Sequence, residues 1–392
     1  MGRHESNAVG PCHGRRGERM SDAPDGGDAA GDENEADGGD AADGENEAER
    51  RNAAERRNEA EGRNEADVGD AAAHPETTNV AIACQGGGSH TAFTAGVLAR
   101  LLEDWDDSEY ELVGISGTSG GAFNALATWY GLVTGTPDDA IDLLEALWAD
   151  LSATEPADAW TNEAIRNWSR LRSMGVPVVE VSPYQNPAAG LGADRIESVL
   201  REHVDFDEIP PHCSRTSPDL VVGTVDVNGG IFETFVNEDV TPEAVLASAA
   251  VPDLFEAVEI HGHYHWDGLF SQNPPVNDLM HQPAGRKPDE LWVIQINPQE
   301  FEGEPTSVEV IADRRNELAG NISLNQELRF IERVNEWVAD GTLPADEFSR
   351  TEIRHIRMGK RYHCSTKVDR DPEFIAELMA LGRERAATFL AD

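Results

Sequence analysis

Lysine is nearly missing from this chain. Only Lys287, Lys360 and Lys367 occur in 392 residues, beside 28 arginines, while aspartate and glutamate total 74, for a formal net charge of -43. A nucleic-acid partner is excluded by this balance, because binding phosphate needs a basic stripe and the chain repels a polyanion. A bare anionic membrane surface is disfavoured for the same reason. Cysteine is also scarce: the four residues Cys12, Cys84, Cys213 and Cys364 lie far apart with no C-x-x-C pair. Neither a disulfide scaffold nor a common zinc ribbon fits that usage. No apolar run reaches the roughly 18 residues of a membrane helix. The expectation is an acidic protein of a reducing cytoplasm.

The acid is not confined to one end. Residues 1–77 hold 21 acidic and 9 basic side chains, and residues 78–392 keep a net charge of -31. Such self-repulsion opposes compaction unless salt screens it, and the Debye length falls to about 3 Å at 1 M. The composition therefore reads as adaptation to a very salty cytoplasm. Residues 25–72 form eight hexads, from DGGDAA and GDENEA to EGRNEA and DVGDAA. Stacked repeats need an apolar face, and these offer only alanine and one valine, so 1–77 is expected to be a disordered acidic tail. Met20 opens the acidic stretch after an arginine-bearing start, which leaves two possible start codons, Met1 and Met20. MGRHES and Arg15-Arg16 match lipidation and export patterns only superficially, since no apolar segment follows.

From residue 78 the texture changes. Asn79–Cys84, Leu112–Ser116, Leu220–Val225 and Leu291–Ile296 are short, almost continuous apolar runs. Strands apolar on both faces belong in a parallel sheet covered by helices. Helical spacing marks 92–103, 120–131, 137–150, 193–203 and 241–249. The alternation predicts a single α/β layered domain over 78–392. The segment 151–192 breaks that rhythm and reads as an excursion placed to cover a site.

Three motifs carry chemistry. Gln85-Gly86-Gly87-Gly88-Ser89-His90 joins the first strand to the first helix. Glycines at such a turn let backbone N–H groups approach an anion, aided by the helix dipole. The loop fits either a phosphate cradle or an oxyanion hole. The dinucleotide fingerprint is met only in part, because Thr91 replaces its last glycine and Asp104, Asp106 and Asp107 sit on the wrong element to bind a ribose. Gly117-Thr118-Ser119-Gly120-Gly121 follows the second strand and opens the second helix, the strand–turn–helix setting of a nucleophile elbow around Ser119. A serine hydroxyl needs a base to take its proton. Late histidines (His281, His355, His363) have no motif of their own. The better base is Asp267 in Trp266-Asp267-Gly268-Leu269-Phe270, where a strand runs into a glycine turn and then Pro274-Pro275.

These segments resemble the patatin-like phospholipases, in particular their bacterial and archaeal members. VAIACQGGGSHTAFTAGVLARLLE resembles the family's oxyanion loop and helix, ISGTSGGAFNAL its serine elbow, and ASAAVPDLFEAVEIHGHYHWDGLFSQNPP its aspartate segment. LWVIQINP and RRNELAGN resemble its later strand and helix. The resemblance implies a three-layer α/β/α fold with a mostly parallel central sheet. It also implies a Ser–Asp dyad without histidine, with Ser119 as nucleophile, Asp267 as base and the N–H groups of Gly86, Gly87 and Gly88 as oxyanion hole. Gly117, Gly121 and Gly268 complete its motifs. The implied activity is that of a serine lipid acyl hydrolase of phospholipase A or esterase type, acting through an acyl-serine on a phospholipid, lysophospholipid or acylglycerol, with no metal or organic cofactor. The alternatives are a non-catalytic lipid-binding or regulatory module on the same fold, and a nucleotide-binding protein.

The sequence departs from the family at His90 and Thr91 beside the oxyanion loop, at Gly120 where alanine is common, and at Leu269 after the Asp-Gly pair, which puts pocket size in question. His261, His263 and His265 alternate in parity with Asp267 and together offer zinc a donor set. A metal there would block the base, so exposed strand histidines are the expectation. Trp129, Trp148, Trp160 and Trp168 fall on or near helices, where packing is the expected role.

Overall fold

A computed structural model describes residues 77–174, 181–283, 285–345 and 347–391. The tail expected over 1–77 lies outside the described residues, apart from Thr77. Eight strands form one mixed sheet: β1 (Thr78–Cys84), β2 (Tyr110–Gly117), β3 (Asp219–Asp226), β4 (Ile231–Val236), β5 (Val258–Ile260), β6 (His263–Asp267), β7 (Glu290–Gln295) and β8 (Glu352–Arg357). The order is β5-β6-β3-β2-β1-β7-β8, with β4 also on β3. β1, β2, β7, β8 and the start of β3 run parallel, while β4, β5 and β6 are antiparallel to their partners.

Helices cover both faces: α1 (Ala92–Glu103), α2 (Gly120–Thr134), α3 (Pro137–Leu151), α4 (Pro156–Ser173), α5 (Pro187–His203), α6 (Pro242–Ser248), α7 (Val308–Ala339) and α8 (Pro372–Ala391). The four apolar runs read from the sequence are the strands at the middle of the sheet, and their buried residues alternate between two cores. Val80, Ile82, Ile115, Leu220, Val222, Trp292 and Ile294 pack with residues of α1, α2, α3 and α8. Ala81, Ala83, Val113, Val221, Leu291 and Val293 pack instead on Leu324, Leu328 and Ile331 of α7. A period of two on doubly buried strands gives this division, and the three layers follow from it. α3 starts where its sequence says it should. Thr136 caps it with Asp139 in a reciprocal capping box, and Pro137 stands at the first turn.

One edge of the sheet decides where the site falls. β4 occupies one side of β3 along Val221–Asp226, so β2 and β6 must share the other. β2 pairs up to Gly117 on Val222, and antiparallel β6 takes over with Asp267 on Thr224. Ser119 lies two residues past Gly117, and Thr224 lies two past Val222. The end of β6 therefore meets the turn that ends β2.

Candidate active site

Ser119 sits between β2 and α2 with φ 57° and ψ -133°, a left-handed backbone uncommon for a residue with a side chain. The turn survives because its neighbours are glycine. A Cβ on Gly117 would lie 2.3 Å from the carbonyl oxygen of Gly121, and one on Gly121 would lie 2.3 Å from that of Cys84. Ser119 N–H donates to Ser248 Oγ at 2.9 Å, and that hydroxyl donates to the Gly223 carbonyl at 2.7 Å. Thr118 Oγ1 donates to the Gln272 carbonyl at 2.8 Å. The elbow is thus tied to β3, α6 and the loop after β6 by buried groups.

Asp267 is fully buried. Its Oδ1 accepts the Leu269 N–H at 2.8 Å, whereas Oδ2 has no hydrogen-bond partner among the described residues. Burial pushes its pKa up to about 7, against the lowering effects of the Leu269 N–H and the nearby Ser119 hydroxyl. Ser119 and Asp267 thus interact, but the contact falls short of a formed hydrogen bond, as is common in sites without substrate. Gly268 fits because a Cβ there would lie 2.6 Å from the Gly223 carbonyl oxygen. Leu269 contributes its N–H to the carboxylate, and its side chain is half-buried.

The glycine loop presses against the elbow: a Cβ on Gly86 would lie 2.9 Å from Ser119 Cβ. Here the structure departs from expectation. Gly86 N–H is committed to Asn273 Oδ1 at 2.6 Å inside the protein, so it is not a free donor for an oxyanion. No hydrogen bond from the N–H of Gly87 or Gly88 occurs among the described residues, and these two glycines reach solvent. Gly88 has φ +60°, and a Cβ there would lie 2.2 Å from the Lys367 carbonyl oxygen. Behind the loop stands a buried amide network that the motifs gave no sign of. Gln85 Oε1 accepts from the N–H groups of Ile296 and Asn297 at 2.9 and 2.8 Å, and Gln85 Nε2 donates to Asn321 Oδ1 at 3.0 Å. Asn297 Nδ2 donates to the Gly86 carbonyl at 3.1 Å. Gln85, Asn273, Asn297 and Asn321 all stand in segments that carry the family resemblance, but nothing in the sequence joins them.

Thr91 and Gly120 explain one another. Thr91 Oγ1 donates to the Gly88 carbonyl at 2.6 Å, and a Cβ on Gly120 would sit 2.0 Å from Thr91 Oγ1. The threonine fills the space an alanine would need. Gly120→Ala alone is expected to lower stability by about 1–3 kcal/mol. In a Thr91→Ala background its cost should fall, leaving only the 3.1 Å contacts with the Gly88 carbonyl and the Cβ of residue 91, and a double-mutant cycle of melting curves measures that coupling.

Histidine takes no part in the pair. No histidine hydrogen-bonds Ser119 or Asp267 among the described residues. His90 is buried against Tyr362 and Phe374 with Nε2 on Thr366 Oγ1 at 2.7 Å, and burial, helped by Lys367, lowers its pKa to about 3, so it is neutral. The three alternating histidines do not converge. His261 lies in the β5–β6 turn with φ 53°, His263 Nδ1 bonds Asp226 at 2.7 Å, and His265 Nε2 bonds Glu233 at 2.7 Å. His265 is buried rather than exposed, a correction caused by its side chain packing beneath β4 on Phe235. Among the described residues no group of three His, Cys, Asp or Glu side chains is placed to hold a metal. Trp129 and Trp148 pack as expected, but Trp160 and Trp168 do not and stand in solvent. An apolar cavity of about 270 Å³ lined by Leu98, Trp105, Tyr110 and Leu132 belongs to the other end of the strands, away from Ser119.

A serine held in a strained turn, a buried carboxylate beside it and two open amides are an arrangement compatible with acyl transfer. Among solved structures, the chain is similar to the type III effector protein ExoU, at 16% identity and a TM-score of 0.31, covering 81% of this chain and 54% of that one. It is likewise similar to full-length ExoU in complex with SpcU from the type III secretion system of Pseudomonas aeruginosa, at 14% identity and a TM-score of 0.31, covering 81% and 53%. The chain thus spans about half the length of these structures. No curated protein matches it. The model of the family described as patatin-like phospholipase matches residues 82–280, a stretch that contains the glycine loop, the elbow and the aspartate turn. On that match, which takes in half of its residues, the chain belongs to the patatin-like phospholipase family.

Proposed function

We propose that the protein is a serine hydrolase of lipid carboxylic esters working through Ser119 and Asp267. The observation that carries this reading is the buried, unpartnered Asp267 Oδ2 at the meeting point of β2 and β6, beside the Ser119 turn. Asp267 takes the Ser119 hydroxyl proton as Oγ attacks the ester carbonyl. The tetrahedral oxyanion is held by the N–H groups of Gly87 and Gly88. Collapse breaks the bond to the alcohol, which leaves with the proton from Asp267, and the acyl group remains on Ser119. Asp267 next deprotonates a water molecule, whose attack frees the fatty acid and returns the proton to Ser119. Gly86 shapes the loop through Asn273 instead of donating to the reaction. The test is release of fatty acid from phospholipid, lysophospholipid and acylglycerol in molar KCl, compared with Ser119→Ala. Release by the wild type alone supports the reading; equal release by both defeats it.

The charge supports a second part of the proposal, that this is a salt-adapted protein of a saline cytoplasm, with residues 1–77 as a solvated acidic tail. With a net charge of -31 over residues 78–392, the compact state repels itself until salt screens it. The melting temperature is expected to rise steadily from millimolar to molar KCl. A flat dependence in thermal melts would contradict this.

A further inference from the structure

α4 is folded inside out. Asn162, Arg166 and Ser169, spaced as one helical face, point into the protein. Asn162 is 4% exposed and donates to Asp369 Oδ1 at 2.9 Å, Arg166 bonds Asp369 Oδ2 at 3.2 Å, and Ser169 Oγ donates to Glu309 Oε1. The opposite face carries Trp160, Ala164, Trp168 and Leu171, and it faces water, with Trp160 78% and Trp168 49% exposed. A surface helix normally buries such a stripe. α7 continues the pattern. Its first-half acids turn inward, Glu309 to Ser169, Asp313 to Lys367 at 2.6 Å and Glu317 to Arg314 at 3.0 Å. Outward stand Val308, 70% exposed, with Ile311, Leu318, Ile322 and Arg315.

We infer that this two-helix face seats the protein on a lipid surface and so presents lipid esters to Ser119. The inference rests on the hydrolase reading above. Four observations commit it to lipid. The stripe is aromatic and aliphatic, and tryptophan favours the membrane interface. The outward charge is locally balanced: Arg170 of α4 and Arg315 of α7 stand against Asp158 and Glu163, in a chain of -43. The face adjoins the site, because Asp369 anchors α4 only two residues beyond Lys367, whose carbonyl abuts Gly88. Finally, no helix among the described residues is long and apolar enough to cross a membrane, so the helix would lie on the surface.

The test floats the full chain with phosphatidylcholine vesicles, with and without phosphatidylglycerol, in molar KCl. Wild type, Trp160→Ser/Trp168→Ser and Ser119→Ala are compared. The wild type is expected to float with a blue-shifted tryptophan emission, and at least as well on the phosphatidylglycerol vesicles. The double variant should partition at least about tenfold more weakly, the loss expected from two unburied indoles. Its turnover of a soluble short-chain ester should be unchanged while its hydrolysis of vesicle lipid falls with binding. Ser119→Ala should float like wild type and hydrolyse neither substrate, so failure of the chemistry is distinguished from failure of docking. Wild type that stays in solution, equal flotation of the double variant, or weaker binding to the phosphatidylglycerol vesicles would overturn the inference. So would a change of oligomeric mass in the double variant without any vesicle binding, which would assign the face to a second copy of the chain.

Discussion

Asp267→Asn is expected to reduce ester hydrolysis about 10³- to 10⁴-fold and, at the same time, to raise the melting temperature at pH 8. Both effects come from one buried carboxyl group. On the proposed mechanism, asparagine cannot take the Ser119 proton, and the serine would no longer be activated. In the wild type, burial raises the folded pKa of Asp267 to about 7, well above the roughly 3.9 of an unfolded aspartate. The stability associated with the neutral group is complete below about pH 4 and is lost as pH rises through about 7. Above that, ionisation in the folded state costs up to about 4 kcal/mol. Asparagine is neutral at every pH and avoids that cost. Melting curves at pH 4 and pH 8 check this: the two proteins should nearly coincide at the lower value and diverge at the higher one, with the variant more stable. Wild-type turnover should move the other way, climbing as Asp267 ionises and levelling above about pH 7. On the proposed mechanism, Asp267 is a case of stability given up for activity.

Ser119→Ala is expected to lower kcat by at least about 10⁴, the loss seen when one member of a nucleophile–base unit is removed. Because the two residues act as a unit, the double variant with Asp267→Asn should be little worse than either single change. Stability should shift by no more than about 1 kcal/mol, since the Ser119 hydroxyl makes no formed hydrogen bond among the described residues. The N–H of residue 119 keeps its bond to Ser248 in the variant. Steady-state kinetics beside thermal melts separate lost chemistry from lost fold. A variant that melts like wild type and retains its kcat would remove Ser119 from the mechanism.

Much of the fold is legible in residues 79–84, 112–116, 220–225 and 291–296, because strands buried on both faces tolerate only apolar side chains. The helices beside them follow from their spacing and caps. The antiparallel strand β4 was hidden, since its Ile231 and Phe232 lie on an exposed edge and give no clean alternation. Of α7 only the stretch RRNELAGN was visible, through the resemblance; its full length was hidden because its acids serve as internal partners and its apolar residues divide between core and solvent. At the site, Ser119, Asp267 and the elbow glycines are visible from local motifs. The commitment of Gly86 is not, because its partner Asn273 lies 187 residues away and only the fold brings it near. Ser248 escapes for the same reason. Trp160 and Trp168 mislead in a different way: a tryptophan on an amphipathic helix reads as core unless one knows that the polar face is the one held by Asp369 and Glu309.

The most direct measurement of the Ser119–Asp267 pair is intact-mass labelling by a fluorophosphonate in molar KCl, followed against pH for wild type, Ser119→Ala and Asp267→Asn. It asks for an activated serine and requires no knowledge of the natural lipid. A single adduct on wild type, forming faster as pH rises toward about 7, absent from Ser119→Ala and strongly slowed in Asp267→Asn, is the predicted result. Folded wild type that takes up no label, or a rate of labelling that ignores Asp267, would contradict it.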